Sequence, residues 1–187
     1  MGYNLKDVFY LGNQQEYTDA YAASEDSIQP IDVSAYVDPI SKGRSTRGTG
    51  LAIYRVSAVT TTSTGTPPVA AETGSFTCGL SVKPFTTTGE RLGGDISGTD
   101  LMPSSDLLIA GMQFIGIASG EGSPNDKGLY LTPTKEVPYV VVRDTIFQVM
   151  SCNVAFNADM HVSWRLECAM IALDTATLNQ LLRTQTA

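Results

Sequence analysis

The sequence has few of the residues on which most catalytic sites depend. Its 187 residues include one histidine and three cysteines, and no Gly-x-Ser-x-Gly motif is present to expose a nucleophilic serine. A Ser–His–Asp arrangement could use only His161. A metal site of the imidazole or thiolate type would need at least three convergent ligands from this small set. We therefore predict a protein that is not an enzyme and that carries neither a cofactor nor a metal site.

The three cysteines, Cys78, Cys152 and Cys168, are too widely spaced to form a Cys-x-x-Cys motif. Cys78 and Cys168 alternate with apolar neighbours in the way that strand residues do, so both are predicted to face inward as small core residues. One buried disulfide with an unpaired third thiol is the alternative, and the sequence does not decide between the two.

Long apolar stretches are also absent. The longest run, residues 107–112, is far shorter than the roughly 20 residues that a membrane-spanning helix needs. The N-terminus has no charged segment followed by an apolar one, and Lys6 occupies the position where a myristoylation signal requires serine or threonine. We expect a soluble protein without membrane insertion and without an export signal.

Positively charged residues are also few. Lysine and arginine number 12 against 19 acidic residues, which gives a net charge of −7. A surface of this sign repels phosphate backbones, so direct binding of nucleic acid is not expected.

Three of the 12 basic residues, Lys42, Arg44 and Arg47, lie close together in the glycine-rich segment 41–50. The segment lacks the closing Gly-Lys-Ser/Thr of a phosphate-binding loop. It is either a solvated polar turn or a subunit-interface contact in which these cations meet the acidic surface of another molecule. We predict the second, with Lys42, Arg44 and Arg47 as the subunit-interface residues.

The sequence does contain the alternating pattern of β-strands, and residues 159–173 show this pattern most clearly. Successive side chains of a strand point to opposite faces of the sheet, so a half-buried strand alternates between apolar and polar residues. The pattern predicts one face toward the core and one toward solvent or a neighbour. The apolar face comprises Met160, Val162, Trp164, Leu166, Cys168 and Met170, and the polar face His161, Ser163, Arg165 and Glu167.

Seven or eight such strands follow one another between residues 51 and 173, with no helix between them. Residues 107–118 are apolar on both faces, which is typical of a central strand or of a strand covered on both sides. Near the end of the chain, Asp174 is a suitable N-cap and leucines recur at helical spacing. A helix from about residue 175 to 183 is therefore predicted, with Arg183 favourably placed at its C-terminal end.

These elements predict an all-β fold: an antiparallel β-sandwich, and specifically a jelly roll of about eight strands. Residues 1–50 show little periodicity. They are interpreted as an extended N-terminal arm and edge segment, although an ordinary irregular segment packed on its own domain would look similar. Pro30 limits any strand there to a sheet edge or a strand start. The predicted boundaries are 1–50 for the arm, 51–173 for the sandwich and 174–187 for the helix and tail.

An acidic β-sandwich with an N-terminal arm and a strand that is apolar on both faces resembles the single jelly-roll capsid and capsid-decorating proteins of viruses. The chain looks particularly like the small capsid proteins of tailless double-stranded DNA viruses with an internal membrane. This resemblance, which covers residues 51–173, implies a structural protein of the virion that assembles in the host cytoplasm. Its partners would be copies of itself and other shell proteins. The chain departs from RNA-packaging shell proteins because its N-terminal arm is not strongly basic.

A carbohydrate-binding β-sandwich module is the alternative function. Such a module needs exposed aromatic side chains on one sheet face, and Tyr130 with Tyr139 could supply a modest platform. A β-sandwich enzyme that acts on sugars would need a pair of carboxyl groups about 5–10 Å apart, and no such pair is identifiable from the sequence.

Overall fold

The computed structural model describes residues 8–17, 26–38, 47–62, 74–83, 106–116, 126–152 and 159–186. These residues form nine strands, a short 3-10 turn at Ser34–Tyr36 and one α-helix. The strands are β1 (Phe9–Tyr17), β2 (Asp26–Asp32), β3 (Arg47–Thr62), β4 (Gly74–Ser81), β5 (Leu108–Gly116), β6 (Asp126–Leu131), β7 (Tyr139–Val141), β8 (Thr145–Cys152) and β9 (Met160–Asp174), and the helix is α1 (Thr175–Thr186).

The strands form two antiparallel sheets that enclose one main core. One sheet has the order β1-β9-β3-β7 and the other has the order β2-β8-β4-β5-β6. Four of the pairs are nested along the chain, because β1 pairs with β9, β2 with β8, β3 with β7 and β4 with β5. Strand β6 extends the second sheet beyond β5. The predicted all-β antiparallel sandwich with a C-terminal helix is confirmed.

The described parts of the N-terminal region include two edge strands. Strand β1 is an edge strand of the four-stranded sheet, and β2 is an edge strand of the five-stranded sheet. Phe9 and Leu11 of β1 pack against the main core, and the ring of Phe9 stacks on Tyr36 with the centroids 4.9 Å apart. Pro30 lies within β2, which an edge strand tolerates because one side of it needs no ladder hydrogen bonds. Residues 9–17 and 26–32 therefore belong to the sandwich itself.

Strand β9 confirms the predicted alternation over most of its length. Trp164 is only 1% exposed, and its apolar neighbours on the same face are also buried. Met170 is the exception. Its place in the alternation assigns it to the core face. It is nevertheless 49% exposed, because it lies at one end of the sandwich, beside Thr49 and the 3-10 turn. Alternation fixes the face of a side chain, whereas its burial also depends on how far the opposite sheet extends.

Cys78 and Cys168 are buried free thiols in the main core, as small core residues would be. Burial raises the pKa of the Cys78 thiol far above its ordinary value. For Cys168, burial and then the charge of Glu167 raise the pKa to about 12. Both thiols are therefore protonated and unreactive at neutral pH. The side chain of Cys152 lies outside the described residues.

Helix α1 covers the outer face of the four-stranded sheet at one end. Asp174 caps it as predicted, since the Thr177 N–H donates to Asp174 Oδ1 at 2.8 Å. Leu178 packs with Val142 and Leu173, and Leu181 and Leu182 lie against the same cluster. A Cβ at Gly48 would lie 2.7 Å from Leu178 Cδ2 and 3.2 Å from the Asp38 carbonyl oxygen, so a larger residue there would force the leucine side chain to shift. The described residues contain no helix long and apolar enough to cross a lipid bilayer.

The helix is also attached to the edge of the sheet through Gln185, which is 2% exposed. The Val142 N–H donates to Gln185 Oε1 at 3.1 Å, and Gln185 Nε2 donates to the Val140 carbonyl at 2.7 Å. The carboxamide thus satisfies two main-chain groups at the end of β7, as a neighbouring strand would. Arg143 adds a third bond by donating from Nη1 to the Gln185 carbonyl at 3.0 Å.

Candidate functional site

Of the predicted interface segment 41–50, the structure describes only residues 47–50. Lys42 and Arg44 lie outside the described residues, and Arg47 is the first residue of β3, where its backbone pairs with that of Asp174. At the base of the segment, Asp38 and Thr49 exchange two backbone hydrogen bonds of 2.8 and 3.0 Å. Asp38 and Thr49 therefore lie side by side in the structure. The prediction that the three cations of the segment contact another subunit stays a prediction.

A second polar surface lies on the outer face of the four-stranded sheet, and we call it the polar sheet face. The pairing register places its side chains in rows across β1, β9 and β3: Tyr10–Glu167–Arg55, Gly12–Arg165–Ser57, Gln14–Ser163–Val59 and Glu16–His161–Thr61. Every residue of the grid is at least partly exposed.

A β-bulge in β3 brings Arg55 to this face. Before the bulge, Leu51 and Ile53 point into the core. The register shifts between Ile53 and Arg55, so the extra residue Tyr54 reverses the alternation. From that point onward the odd-numbered residues of β3, Arg55 among them, face outward. Without the bulge the Arg55 guanidinium would point into the core, where an unpaired charge is costly.

The first two rows contain a preorganised cluster. The Tyr10 hydroxyl donates to Glu167 Oε1 at 3.2 Å, which fixes the ring. The guanidinium carbon of Arg165 lies 4.1 Å from the centroid of that ring, in cation–π contact. Arg55 lies opposite Glu167 on the other side, and Ser57 lies opposite Arg165. These five side chains line one shallow depression.

The last row contains His161, the single histidine. Its Nδ1 lies 3.4 Å from Gln14 Nε2, and its Nε2 lies 3.8 Å from a carboxylate oxygen of Glu16. Both contacts link β9 to β1 across the outer face, as the predicted solvent-facing position allows. The ion pair with Glu16 forms only when the imidazole is protonated, and at an exposed position it contributes little to stability.

Two further candidate sites are a metal-binding cluster and the pair of tyrosines, Tyr130 and Tyr139. No group of three or more histidine, cysteine or acidic residues is placed to hold a metal ion in the described part of the chain. Tyr130 belongs to β6 of the five-stranded sheet and Tyr139 to β7 of the four-stranded sheet, so the two do not share a sheet face. The Tyr139 hydroxyl donates to the Asp106 carbonyl at 2.7 Å, and the ring packs against the core. Burial and the nearby Asp106 carboxylate raise the pKa of Tyr139 well above its ordinary value.

The sequence analysis did not group Arg55 and Arg165 into one site. Alternation in β9 places Arg165 on the outer face, and that signal is visible in the sequence. The position of Arg55 depends on a bulge and on the register between β3 and β9, which bring Arg55 and Arg165 to one surface although they are 110 positions apart in the chain.

No protein-family model, curated protein or solved structure matches this chain.

Proposed function

We propose that the protein is a structural subunit of a virus-like shell that acts by assembling with copies of itself and with other shell proteins. The observation that carries this proposal is the nested strand pairing. A jelly roll forms when a long antiparallel strip of chain wraps around a core, so that the first strand pairs with the last and the second with the last but one. Strands β1 to β5 and β7 to β9 follow this rule, with β6 added at an edge.

The jelly-roll architecture is common to viral capsid domains and to lectins. The polar sheet face favours the first of these over the second. A glycan platform needs aromatic rings with open faces, whereas one face of Tyr10 is covered by Arg165. A flat array of charged, amide and hydroxyl groups is instead suited to the rim of a protein–protein interface. The proposed location is the virion, after assembly in the host cytoplasm.

The mass of the purified protein tests this proposal directly. We expect light scattering coupled to size-exclusion chromatography to show trimers, pentamers or larger particles at neutral pH, and electron microscopy to show closed shells or rings. A protein that stays monomeric at millimolar concentration, and that is not found in particles from its native source, would overturn the proposal. A monomer that binds oligosaccharides would favour the carbohydrate-binding alternative.

The basic segment gives a second test. Replacing Lys42, Arg44 and Arg47 together with serine should weaken assembly and leave the melting temperature nearly unchanged. The reason is that an acidic chain repels its own copies unless opposite charges are brought together locally. Sedimentation velocity at low and high salt should show the largest loss at low salt, where charge pairs are least screened. Undiminished assembly of the triple variant at low ionic strength would show that the segment is a solvated turn.

A further inference from the structure

We propose that the polar sheet face is a second subunit contact, in which Arg55 and Arg165 bind carboxylates of another copy of this chain. This inference rests on the proposed function and specifies where the subunits meet. It involves a surface other than the basic segment 41–50, and it gives Arg55 and Arg165 a binding role that the sequence analysis did not assign to them.

The first argument is that both guanidinium groups are available. No described residue forms a hydrogen bond or an ion pair with Arg55 or Arg165, although Glu167 lies between them. Glu167 instead accepts from Tyr10, and Arg165 stacks on the Tyr10 ring. Both side chains are exposed, and the N–H donors of a guanidinium form a fork that matches a carboxylate. Ser57 adds a hydroxyl to the same depression.

The second argument is that Arg165 is preorganised. Its guanidinium is held over a ring whose own position is fixed by a hydrogen bond to Glu167. A long side chain that is already ordered loses less conformational entropy when it binds. A lysine in the same position would keep the charge but would lose the bidentate geometry and part of the stacking. The cluster of two guanidiniums and one carboxylate has a net charge of +1 on a chain whose net charge is −7.

The third argument is that the chain offers matching carboxylates elsewhere on its surface. Asp32 and Asp144 are both exposed, and they lie together at one end of the five-stranded sheet, where the Val33 N–H donates to the Asp144 carbonyl at 2.8 Å. The Ser34 N–H donates to Asp32 Oδ1 at 2.8 Å and lowers the pKa of that carboxyl, so it is ionised at neutral pH. We assign this acidic end as the surface that meets the polar sheet face.

The two surfaces lie on different sheets of the same molecule, so the contact between copies is heterologous. Heterologous contacts close into rings when the rotation between copies allows it, and rings of this kind build a closed shell. An isologous contact would place the same face of both copies together and would end at a dimer. The proposed contact is therefore of the type that the proposed function requires.

The test compares two double variants that remove the same amount of charge. Arg55→Ser with Arg165→Ser removes the proposed contact, and Lys135→Ser with Arg183→Ser removes two exposed cations from a loop and from α1. The association constant from sedimentation velocity should fall about tenfold or more in the first variant, since a desolvated charge pair contributes at least this much. It should change less than about twofold in the control. Arg55→Lys with Arg165→Lys should give an intermediate loss, because charge without the fork geometry is retained.

The acidic end provides the reciprocal variant. Asp32→Asn with Asp144→Asn keeps the side-chain oxygen that accepts from the Ser34 N–H but removes both charges. It should weaken association as much as the arginine variant, and combining the two should add little further loss. Assembly of the arginine variant at wild-type strength, or equal losses in it and the control, would overturn this inference and leave the proposed function intact. A wild-type protein that never assembles would instead overturn the proposed function.

Discussion

Replacing Trp164 with alanine should lower the free energy of unfolding by about 3–5 kcal/mol, which is a large fraction of the stability of a domain of this size. The side chain is 1% exposed and lies in the main core with Val162 and Leu166, its neighbours on the same face of β9. Its removal leaves a cavity between two sheets whose backbones are fixed by their own hydrogen bonds, so the space cannot close fully. Urea denaturation followed by circular dichroism measures the change.

Trp164→Phe is the matched control. The indole Nε1 is buried and has no hydrogen-bond acceptor among the described residues. Phenylalanine therefore removes an unsatisfied donor and keeps most of the apolar volume, and it should cost much less than alanine. A phenylalanine variant as unstable as the alanine variant would mean that the indole nitrogen makes a bond that matters. An alanine variant within about 0.5 kcal/mol of wild type would refute the position of Trp164 in the core.

The features that could be predicted from the sequence are those encoded over a few neighbouring residues. The alternation in β9, the apolar faces of β5 and the Asp174 cap each depend on residues two to four positions apart. In β5, Leu108 is buried beside Val149 on one face, while Ile109 and Met112 lie in the main core, so apolar side chains are buried on both faces of the strand. Local steric and hydrogen-bonding preferences decide such features, and the neighbouring residues to which these preferences apply can be read directly from one sequence.

The N-terminal strands were harder to predict because their pattern is weak. In β1 the positions that face inward include Asn13 and Gln15, whose polar character hides the alternation. The Asn13 amide donates to Gln148 Oε1 of the opposite sheet at 3.4 Å, so a polar contact occupies a place where the sequence leads one to expect an apolar one. What makes residues 9–17 a strand is the pairing with β9, more than 140 positions along the chain. Tertiary context overrides local propensity here.

The polar sheet face could not be predicted from the sequence for the same reason, because its residues are brought together by strand pairing. The sheet register joins Tyr10 to Glu167 from one side and places Arg55 beside Glu167 on the other, across large separations in sequence. The register in turn depends on a bulge at Tyr54, for which the sequence gives no turn or glycine signal. Charged residues on a predicted outer face can be identified one by one, but their grouping follows from strand order. The basic segment 41–50 was visible for the opposite reason, since its three cations are neighbours in sequence.

Replacing Gln185 with alanine should lower the free energy of unfolding by about 2–5 kcal/mol, because it leaves the Val142 N–H and the Val140 carbonyl without partners in a buried place. The loss should appear first in the last turn of α1 and in β7, where the two are held together. Hydrogen exchange of the Val142 amide measures this local opening, and chemical denaturation measures the whole effect. Gln180→Ala, on an exposed position of the same helix, is the matched control and should change stability by less than about 0.5 kcal/mol.

Gln185→Glu separates the contribution of the donor from that of the acceptor. The substitution keeps the shape and the oxygen that accepts from Val142, but an ionised carboxylate cannot donate to Val140 and carries a charge into a site that is 2% exposed. Burial raises the pKa of such a carboxyl in the folded state, so the variant should be most stable at acidic pH and lose stability as pH rises through that raised value. At neutral pH it should be at least as unstable as the alanine variant. Wild-type stability of Gln185→Glu across the whole pH range would show that the carboxamide does not hold the helix to the sheet edge.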